Sequence, residues 1–486
     1  MRGTKGAGVG ATLLLLALLT SAVAAAPDPS ASSPPDTARP GPANVVVILT
    51  DDMRADDLRY LPKTRRLLAA HGVRFTNAIS PHPICCPARA ELITGQYGQN
   101  NGVRHNTGRW GGAERLRDPD NNIGSWLQAA GYRTSYHGKF LNGYERLRPR
   151  QRPAGWTIWD AQVGGIYSYR RARFFNGDRV RHQYVTDTMT DRSSDALSAF
   201  ADGTAPFFTV VNHVAPHVTP SPPFLPRWQR KYDDAYRGMR PPVFDAPSFD
   251  EARVDDLPQG LRMPKLDHAR IGALFSARAR SLRSVDDAVA ATVRRLDRLG
   301  ELDDTYVVFT SDNGYALGEH RITSKNYLFD EVLDIPLLIR GPGFAPGTVD
   351  DTRVSLVDLV ATIVDWTGTT ADRRLDGVSI ERLRDDDRPP LRDTILVQTG
   401  DDVADGTPGW DYRGVTTSRY LFAHRAGRSG IGLLFDRRRD PHALRNRFWD
   451  RDYRAVRREL THRTKVLSHC AGSGCNRVFG RLPLPR

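Results

Sequence analysis

Apolar residues along this chain fall into two kinds of run that alternate. Asn44-Val45-Val46-Val47-Ile48-Leu49 is a continuous β-branched run bounded by polar residues, the pattern of a strand buried on both faces of a mainly parallel sheet. Thr305-Tyr306-Val307-Val308-Phe309-Thr310 has the same character. Between them, helical spacing over 123–130 gives way to a strand over 132–136, and a helix over 186–201 to a strand over 207–211. A helix over 269–299 precedes the 305 strand, and a strand over 335–339 and a helix over 356–366 follow it. The alternation predicts an α/β fold: a large, mainly parallel sheet sandwiched by helices. From about Pro389 short strand-like runs (394–399, 420–423, 432–435) replace the long helices, which predicts a smaller α+β subdomain over 389–486 after a main domain over 44–388. Residues 218–266 carry many prolines and little period, and read as a loop excursion over the sheet edge.

The ends differ in kind. Arg2 and Lys5 precede an apolar stretch over 11–26 that finishes Ala-Val-Ala-Ala-Ala, which reads as a signal peptide over 1–26. Residues 27–43 are a Pro/Ser-rich linker. No later stretch approaches the ~20 apolar residues of a membrane span, so the expectation is a secreted protein with no stable membrane anchor. In such a compartment Cys470 and Cys475, separated by Ala-Gly-Ser-Gly, suit a small disulfide clip.

The formal charge is +13, but basic residues are spread along the chain and interleaved with aspartate, as in Arg437-Arg438-Arg439-Asp440. That is a solvated surface with no nucleic-acid stripe, and one that steers anionic substrates. Only seven of the 69 basic residues are lysine, so each lysine merits attention where a compact ammonium differs from a guanidinium. The other two cysteines, Cys85 and Cys86, are adjacent, and neighbours rarely bridge. They stand before a helix-like run, whose unpaired N–H groups and dipole would lower a thiol pKa and hold an anion at position 85; a pair of buried small residues is the alternative. The two buried strands end in Asp51-Asp52 and in Ser311-Asp312-Asn313-Gly314, at the edge where open α/β sheets place ligands. Each pair alone also reads as a cap or turn.

Taken in order, Asp51-Asp52, Cys85-Cys86-Pro87-Ala88-Arg89, Ile93-Thr94-Gly95, Gly138-Lys139, Pro216-His217, Thr310-Ser311-Asp312-Asn313-Gly314 and Lys325 carry a resemblance. From about Asn44 to its end the chain resembles the type I sulfatases of the alkaline phosphatase superfamily, whose signature is Cys-x-Pro-x-Arg followed by a helix ending in Thr-Gly. The Cys-Cys-Pro variant, Gly138-Lys139-Phe140-Leu141-Asn142, His213-Val214-Ala215-Pro216-His217 and Arg340-Gly341-Pro342-Gly343 look like the N-acetylglucosamine-6-sulfatase and extracellular endosulfatase branch.

The resemblance implies an alkaline phosphatase-like fold with a sulfatase catalytic domain over 44–388. It implies that a formylglycine-generating enzyme oxidises Cys85 to formylglycine, whose hydrate attacks sulfur with one hydroxyl and expels sulfate with the help of the other. Asp51, Asp52, Asp312, Asn313 and the modified Cys85 would hold Ca²⁺, with Mg²⁺ as the runner-up. Arg89 would orient the hydrate, Lys139 and Lys325 would bind sulfate oxygens, and His217 would bind substrate and protonate the leaving alcohol. Many such enzymes carry a histidine two residues after the motif lysine; here that residue is Leu141, which leaves His320 or His137 as candidate proton acceptors. The implied substrate is a sulfated carbohydrate such as 6-O-sulfated N-acetylglucosamine. The alternatives are a phosphonate or phosphate monoester hydrolase sharing the motif, and a non-catalytic sulfated-glycan binder whose Cys85 is never oxidised. Glycan contacts are expected from loops near 100–118, 142–185 and 213–266, with Asn101, Arg104, His105, His182 and Trp228 as candidates.

Overall fold

The first apolar run forms strand β1 (Asn44–Thr50), buried at all seven positions because apolar layers cover both its faces. The computed structural model describes residues 43–385, 387–401, 409–428 and 430–486. The expected signal peptide, and the expected linker up to residue 42, lie outside the described residues. In chain order the next strands are β2 (Val73–Ile79), β3 (Arg133–Gly138), β4 (Ile158–Gly164), β5 (Arg171–Phe174), β6 (Arg179–Arg181), β7 (Phe207–Asn212) and β8 (Thr305–Ser311). They are followed by β9 (Ala316–Leu317), β10 (Thr323–Ser324), β11 (Leu337–Arg340), β12 (Thr348–Ser355), β13 (Ile395–Gly400), β14 (Trp410–Thr416), β15 (Tyr420–Arg425) and β16 (Gly432–Asp436).

Ten strands make the central sheet, in the order β12-β2-β11-β8-β1-β7-β3-β4-β5-β6. The run from β8 to β4 is parallel throughout. The segment predicted over 335–339 becomes β11, which runs antiparallel to both β8 and β2. β5 and β6 form an antiparallel hairpin at the far edge.

Alternate residues of β1 enter different cores. Val45, Val47 and Leu49 join Leu92 and Ile93 of the helix Cys85–Thr94, Trp126 and Leu127 of Ile123–Ala129, and Leu359, Val360 and Ile363 of Leu356–Thr367. Val46 and Ile48 face Leu197 and Phe200 of Val185–Ala201 and Phe275, Leu282, Val285, Val289 and Val293 of His268–Leu299. The last set recurs at three- and four-residue steps after Phe275–Leu282, which is why that stretch is one long amphipathic helix. Asp267 caps its start by accepting from the Ala269 and Arg270 N–H groups, and left-handed Gly300 ends it. Each such apolar side chain contributes roughly 1.5–3 kcal/mol on burial.

Beyond this sheet, β13 to β16 form a separate antiparallel sheet in sequence order, packed with the helix Arg454–Leu467. Cys470 and Cys475 are joined as a disulfide, and Cys85 and Cys86 are free. Residues 218–266 contain three short 3₁₀ turns and one isolated bridge, Phe249 to Glu319, with no longer element, as the proline content predicts. Among the described residues no helix is long and apolar enough to cross a membrane.

Candidate active site

Because β8, β1, β7 and β3 are parallel neighbours, their carboxyl ends line up. Thr50 pairs with Ser311, Leu49 with Asn212 and Gly138 with Asn212. The residues that follow therefore meet at one edge: Asp51-Asp52 from β1, Asp312-Asn313 from β8, Lys139 from β3 and, five residues past β7, His217. Cys85 reaches the same point as the first residue of the helix Cys85–Thr94. Ligand atoms of Asp51, Asp52, Cys85 and His217 all lie within 4.8 Å of one another, and all four residues are buried. The close strand packing requires glycine at 138: its φ is +98°, and a Cβ there would stand 2.3 Å from the Asn212 carbonyl oxygen. Asp52 also adopts a left-handed conformation (φ 70°), which aspartate tolerates better than most residues.

Three buried carboxylates face two buried cations, Arg89 and Lys139, and the partly buried Lys325. Lys139 Nζ lies 2.6 Å from Asp51 Oδ2, and Lys325 Nζ lies 2.5 and 2.6 Å from the two Asp52 oxygens and 3.2 Å from Cys85 Sγ. Arg89 donates from Nε to Asp312 Oδ2 (2.9 Å) and from Nη1 to the Lys139 carbonyl and Asn212 Oδ1 (both 2.9 Å). Burial alone would raise the Asp51 carboxyl, but Lys139, His217, Arg89 and Lys325 together hold it well below the usual carboxylate range. Asp52 is likewise lowered against its burial, chiefly by Lys325. Asp312 is pushed up to about 6 by burial and then by the Asp51 charge. Lys139 and Lys325 stay charged, because Asp51 and Asp52 respectively outweigh the desolvation that favours the free amines.

The helix start does not activate Cys85 as the sequence suggested. Burial, and then the Asp51 carboxylate, push its thiol up to about 12, so this cysteine is no thiolate nucleophile. Cys86 faces elsewhere: its thiol points at the Asn142 carbonyl (3.8 Å) and its N–H donates to Asn106 Oδ1 (2.8 Å).

His217 is held on three sides. Its Nδ1 lies 2.5 Å from the Val218 carbonyl, which can only accept, so the proton sits on Nδ1 and Nε2 faces Asp52 Oδ2 at 3.6 Å. Tyr167 stacks on the ring (centroids 4.2 Å apart), and Tyr169 donates its hydroxyl hydrogen bond to the His217 carbonyl (2.7 Å). Burial, reinforced by Lys325, lowers the imidazole to about 4.

The donor set fits a hard divalent cation. Asp51, Asp52 and Asp312 supply carboxylate oxygens, and the buried Asn313 Oδ1 has no hydrogen-bond partner while its Nδ2 donates to Asp52 Oδ1 (2.8 Å).

His320 and His137 are not brought to this cluster. His320 bonds Glu251 through Nδ1 (3.0 Å) and stacks on Phe329, and His137 bonds Asp160 (3.0 Å). Leu141 is buried in the first apolar core. Asn101 is a structural residue that binds the Gln96 carbonyl and the Val103 N–H, and Trp228 donates to Asp233.

Four residues at the site were missed from sequence. Asn212, a polar residue ending a buried strand, carried a readable signal. Tyr167 and Tyr169 sit in a loop without pattern. Arg278, which holds the Asp52 carbonyl (2.6 Å) and Asp57 (2.9 Å), looked like one arginine among many on a long helix.

The sulfatase family profile matches residues 43–369, and the profile of the N-sulphoglucosamine sulphohydrolase C-terminal region matches 318–469. The extracellular sulfatase SULF-1 homolog of Drosophila melanogaster is 32% identical over 71% of this chain, a match that spans 31% of that protein's length. Human N-acetylglucosamine-6-sulfatase is 31% identical over 75% of this chain and 69% of its own. A protein solved with its substrate D-glucosamine-2-N,6-O-disulfate shares the fold (TM-score 0.69, 18% identity, 87% of this chain and 97% of that one). So does the phosphonate monoester hydrolase of Silicibacter pomeroyi (TM-score 0.64, 22% identity, 88% and 96%), so the fold by itself does not choose between the two chemistries. With two-thirds of its length under that profile and the signature residues gathered at one sheet edge, the chain belongs to the sulfatase family, as a type I member of the alkaline phosphatase superfamily.

Proposed function

We propose that this chain hydrolyses a sulfate ester on a carbohydrate, with 6-O-sulfated N-acetylglucosamine as the favoured unit, after Cys85 has been oxidised to formylglycine by a dedicated maturation enzyme. The observation that carries this reading is the convergence of Cys85, Asp51, Asp52 and His217 within 4.8 Å, flanked by the Lys139 and Lys325 ammonium groups. The buried thiol is too weakly acidic to attack as it stands, which supports a chemically altered residue 85. Once oxidised, that residue would supply a geminal diol in place of a thiol, one hydroxyl to attack and one to help release sulfate.

Charge supports a metal at the same point. Asp51, Asp52 and Asp312 balance Arg89, Lys139 and Lys325, which leaves no surplus to attract an anion. A divalent cation held by the three aspartates and Asn313 would supply that surplus and polarise sulfate oxygens; a set of several protein oxygens favours Ca²⁺ over Mg²⁺. Lys139 and Lys325 then serve the sulfate oxygens, and Arg89 fixes Asp312 and the Lys139 backbone. His217 is neutral without substrate. An arriving sulfate adds negative charge beside Nε2, favours the imidazolium, and so equips the ring to protonate the departing alcohol oxygen, a contribution of about 10²–10⁴-fold. The apolar leader over 1–26 supports export as the setting.

Two measurements test this reading. Mass spectrometry of the peptide containing residue 85, from protein made in its native host, should show the aldehyde; an unmodified thiol would favour a non-catalytic glycan binder. Sulfate release from defined sulfated saccharides should exceed hydrolysis of matched phosphonate and phosphate monoesters, and the reverse order would assign the chain to the other chemistry.

A further inference from the structure

The hairpin of β5 and β6 carries five arginines in twelve residues: Arg170, Arg171, Arg173, Arg179 and Arg181. All five are exposed. The register sets Arg171 directly opposite Arg181 and Arg173 opposite Arg179, so like charges meet twice across the ribbon. Such facing pairs are unfavourable, and an edge strand needing only protection from aggregation could carry either sign. Among the described residues no carboxylate pairs with any of the five; the hairpin's own Asp178 is bound to Arg192. The intervening residues Ala172, Phe174 and Val180 turn inward onto Val185, Met189 and Val211. The arginine face forms a shallow groove of about 290 Å³ floored by Gly164 and Gly165. A side chain at 164 would crowd Arg173, standing 3.3 Å from its Cβ and Nε.

We propose that this ribbon binds a segment of an anionic polysaccharide beyond the unit being cleaved. The inference rests on the proposed glycan substrate and adds a site for its flanking charges. The hairpin leaves the turn that carries Tyr167, which stacks on His217 and lies over Lys139 (4.5 Å to the ring centre), so one continuous stretch joins the reaction site to the groove. Arginines stand ~7 Å apart along a strand and ~5 Å across the pair, a grid suited to repeated sulfate or carboxylate groups on a sugar chain. A membrane surface fits less well because every apolar side chain of the two strands points inward, and a nucleic acid less well because the arginine face has no aromatic on which bases stack.

The test uses the full chain with Cys85→Ala, so that binding is read without turnover. A fluorescent heparin hexasaccharide is titrated at low and moderate salt into this protein, into a variant also carrying R171Q, R173Q, R179Q and R181Q, and into a control of equal net charge with the remote exposed arginines changed (R65Q, R66Q, R294Q, R298Q). The ribbon variant should bind at least tenfold more weakly and lose most of its salt dependence, with the control within twofold of the parent. With residue 85 intact, the ribbon variant should keep the parent's kcat/KM on 4-nitrophenyl sulfate. Equal weakening in the control, no weakening in the ribbon variant, or tighter parent binding to a single-stranded oligonucleotide or to phosphatidylserine vesicles would overturn the proposal. Absence of any esterase activity would sink the hydrolase reading and leave the binding result standing.

Discussion

The reaction centre and the arginine ribbon belong to one sheet, yet they treat charge in opposite ways. At the carboxyl ends of β8, β1, β7 and β3, three buried carboxylates lie within hydrogen-bond or ion-pair reach of three cations, two buried and one, Lys325, partly buried. On β5 and β6 cations of one sign face each other in solvent, unmatched by any described carboxylate. Buried charge is tolerated only when paired, because desolvation is severe, whereas exposed surplus charge is screened by water and salt. Substitutions at the centre should therefore be all-or-none, and those on the ribbon graded and salt-dependent.

The sharpest break in that comparison is at position 85. Cys85→Ala should lower sulfate release by at least about 10⁴-fold while leaving the urea unfolding midpoint nearly unchanged, and Cys86→Ala should retain activity. Loss of turnover in the second variant alone would mean that the wrong cysteine has been assigned. Next comes Arg89→Met, which strands Asp312 in a buried site. Loss of one partner of a buried pair costs about 3–5 kcal/mol, and urea denaturation should show it. A ribbon arginine changed to methionine should move the same curve by less than about 0.5 kcal/mol.

What could be read from sequence follows the same division. β1 and β8 announced themselves because strands covered on both faces are apolar throughout, and the acidic pairs after them stood out against that background. Lys139 and Lys325 were legible through the family resemblance, with the rarity of lysine as an independent hint. β2, β4 and β12 went unread: their half-polar patterns are those of strands nearer the sheet edges, where one face or end meets water. The reversed direction of β11 was equally hidden, since a short apolar run says nothing about which way it pairs. Tyr167 and Tyr169 owe their place to the path of a loop, which local pattern does not encode, and the activating effect expected of the helix start was overruled by burial and by Asp51.

Glu91 tests what happens when a buried carboxyl has no cation to pair with. It sits inside the helix that begins with Cys85, fully buried, and neither carboxylate oxygen has a hydrogen-bond partner. Burial, and then the nearby Asp376, raise its carboxyl well above the ordinary value of 4.5. The folded state therefore holds this proton more tightly than the unfolded chain. Its contribution is fully present below about pH 4.5 and is lost as pH rises through the folded-state value, with a slope of about 1.4 kcal/mol per pH unit inside that window. Glu91→Gln removes the titration, so thermal unfolding across pH 5 to 9 should show the variant gaining on the parent as pH rises. Parallel curves would mean that Glu91 titrates normally.

The smallest effect is also the one that separates the two regions most cleanly. Arg179→Glu replaces the Arg173–Arg179 repulsion with a cross-strand ion pair, and opposite charges facing each other across a ribbon contribute roughly 0.2–1 kcal/mol. At low salt the variant should thus unfold at a slightly higher temperature than the parent, and the gain should fade as salt is added because both partners are exposed. The same change removes two units of positive charge from the groove, so binding of the heparin hexasaccharide should weaken while stability improves. No substitution within the reaction centre should behave this way, since there each cation is held by a buried carboxylate and its removal weakens fold and function together. Opposite signs for stability and binding would mark the facing arginines as retained for a ligand at the expense of the hairpin; a loss of both would make them ordinary supports of the edge strand.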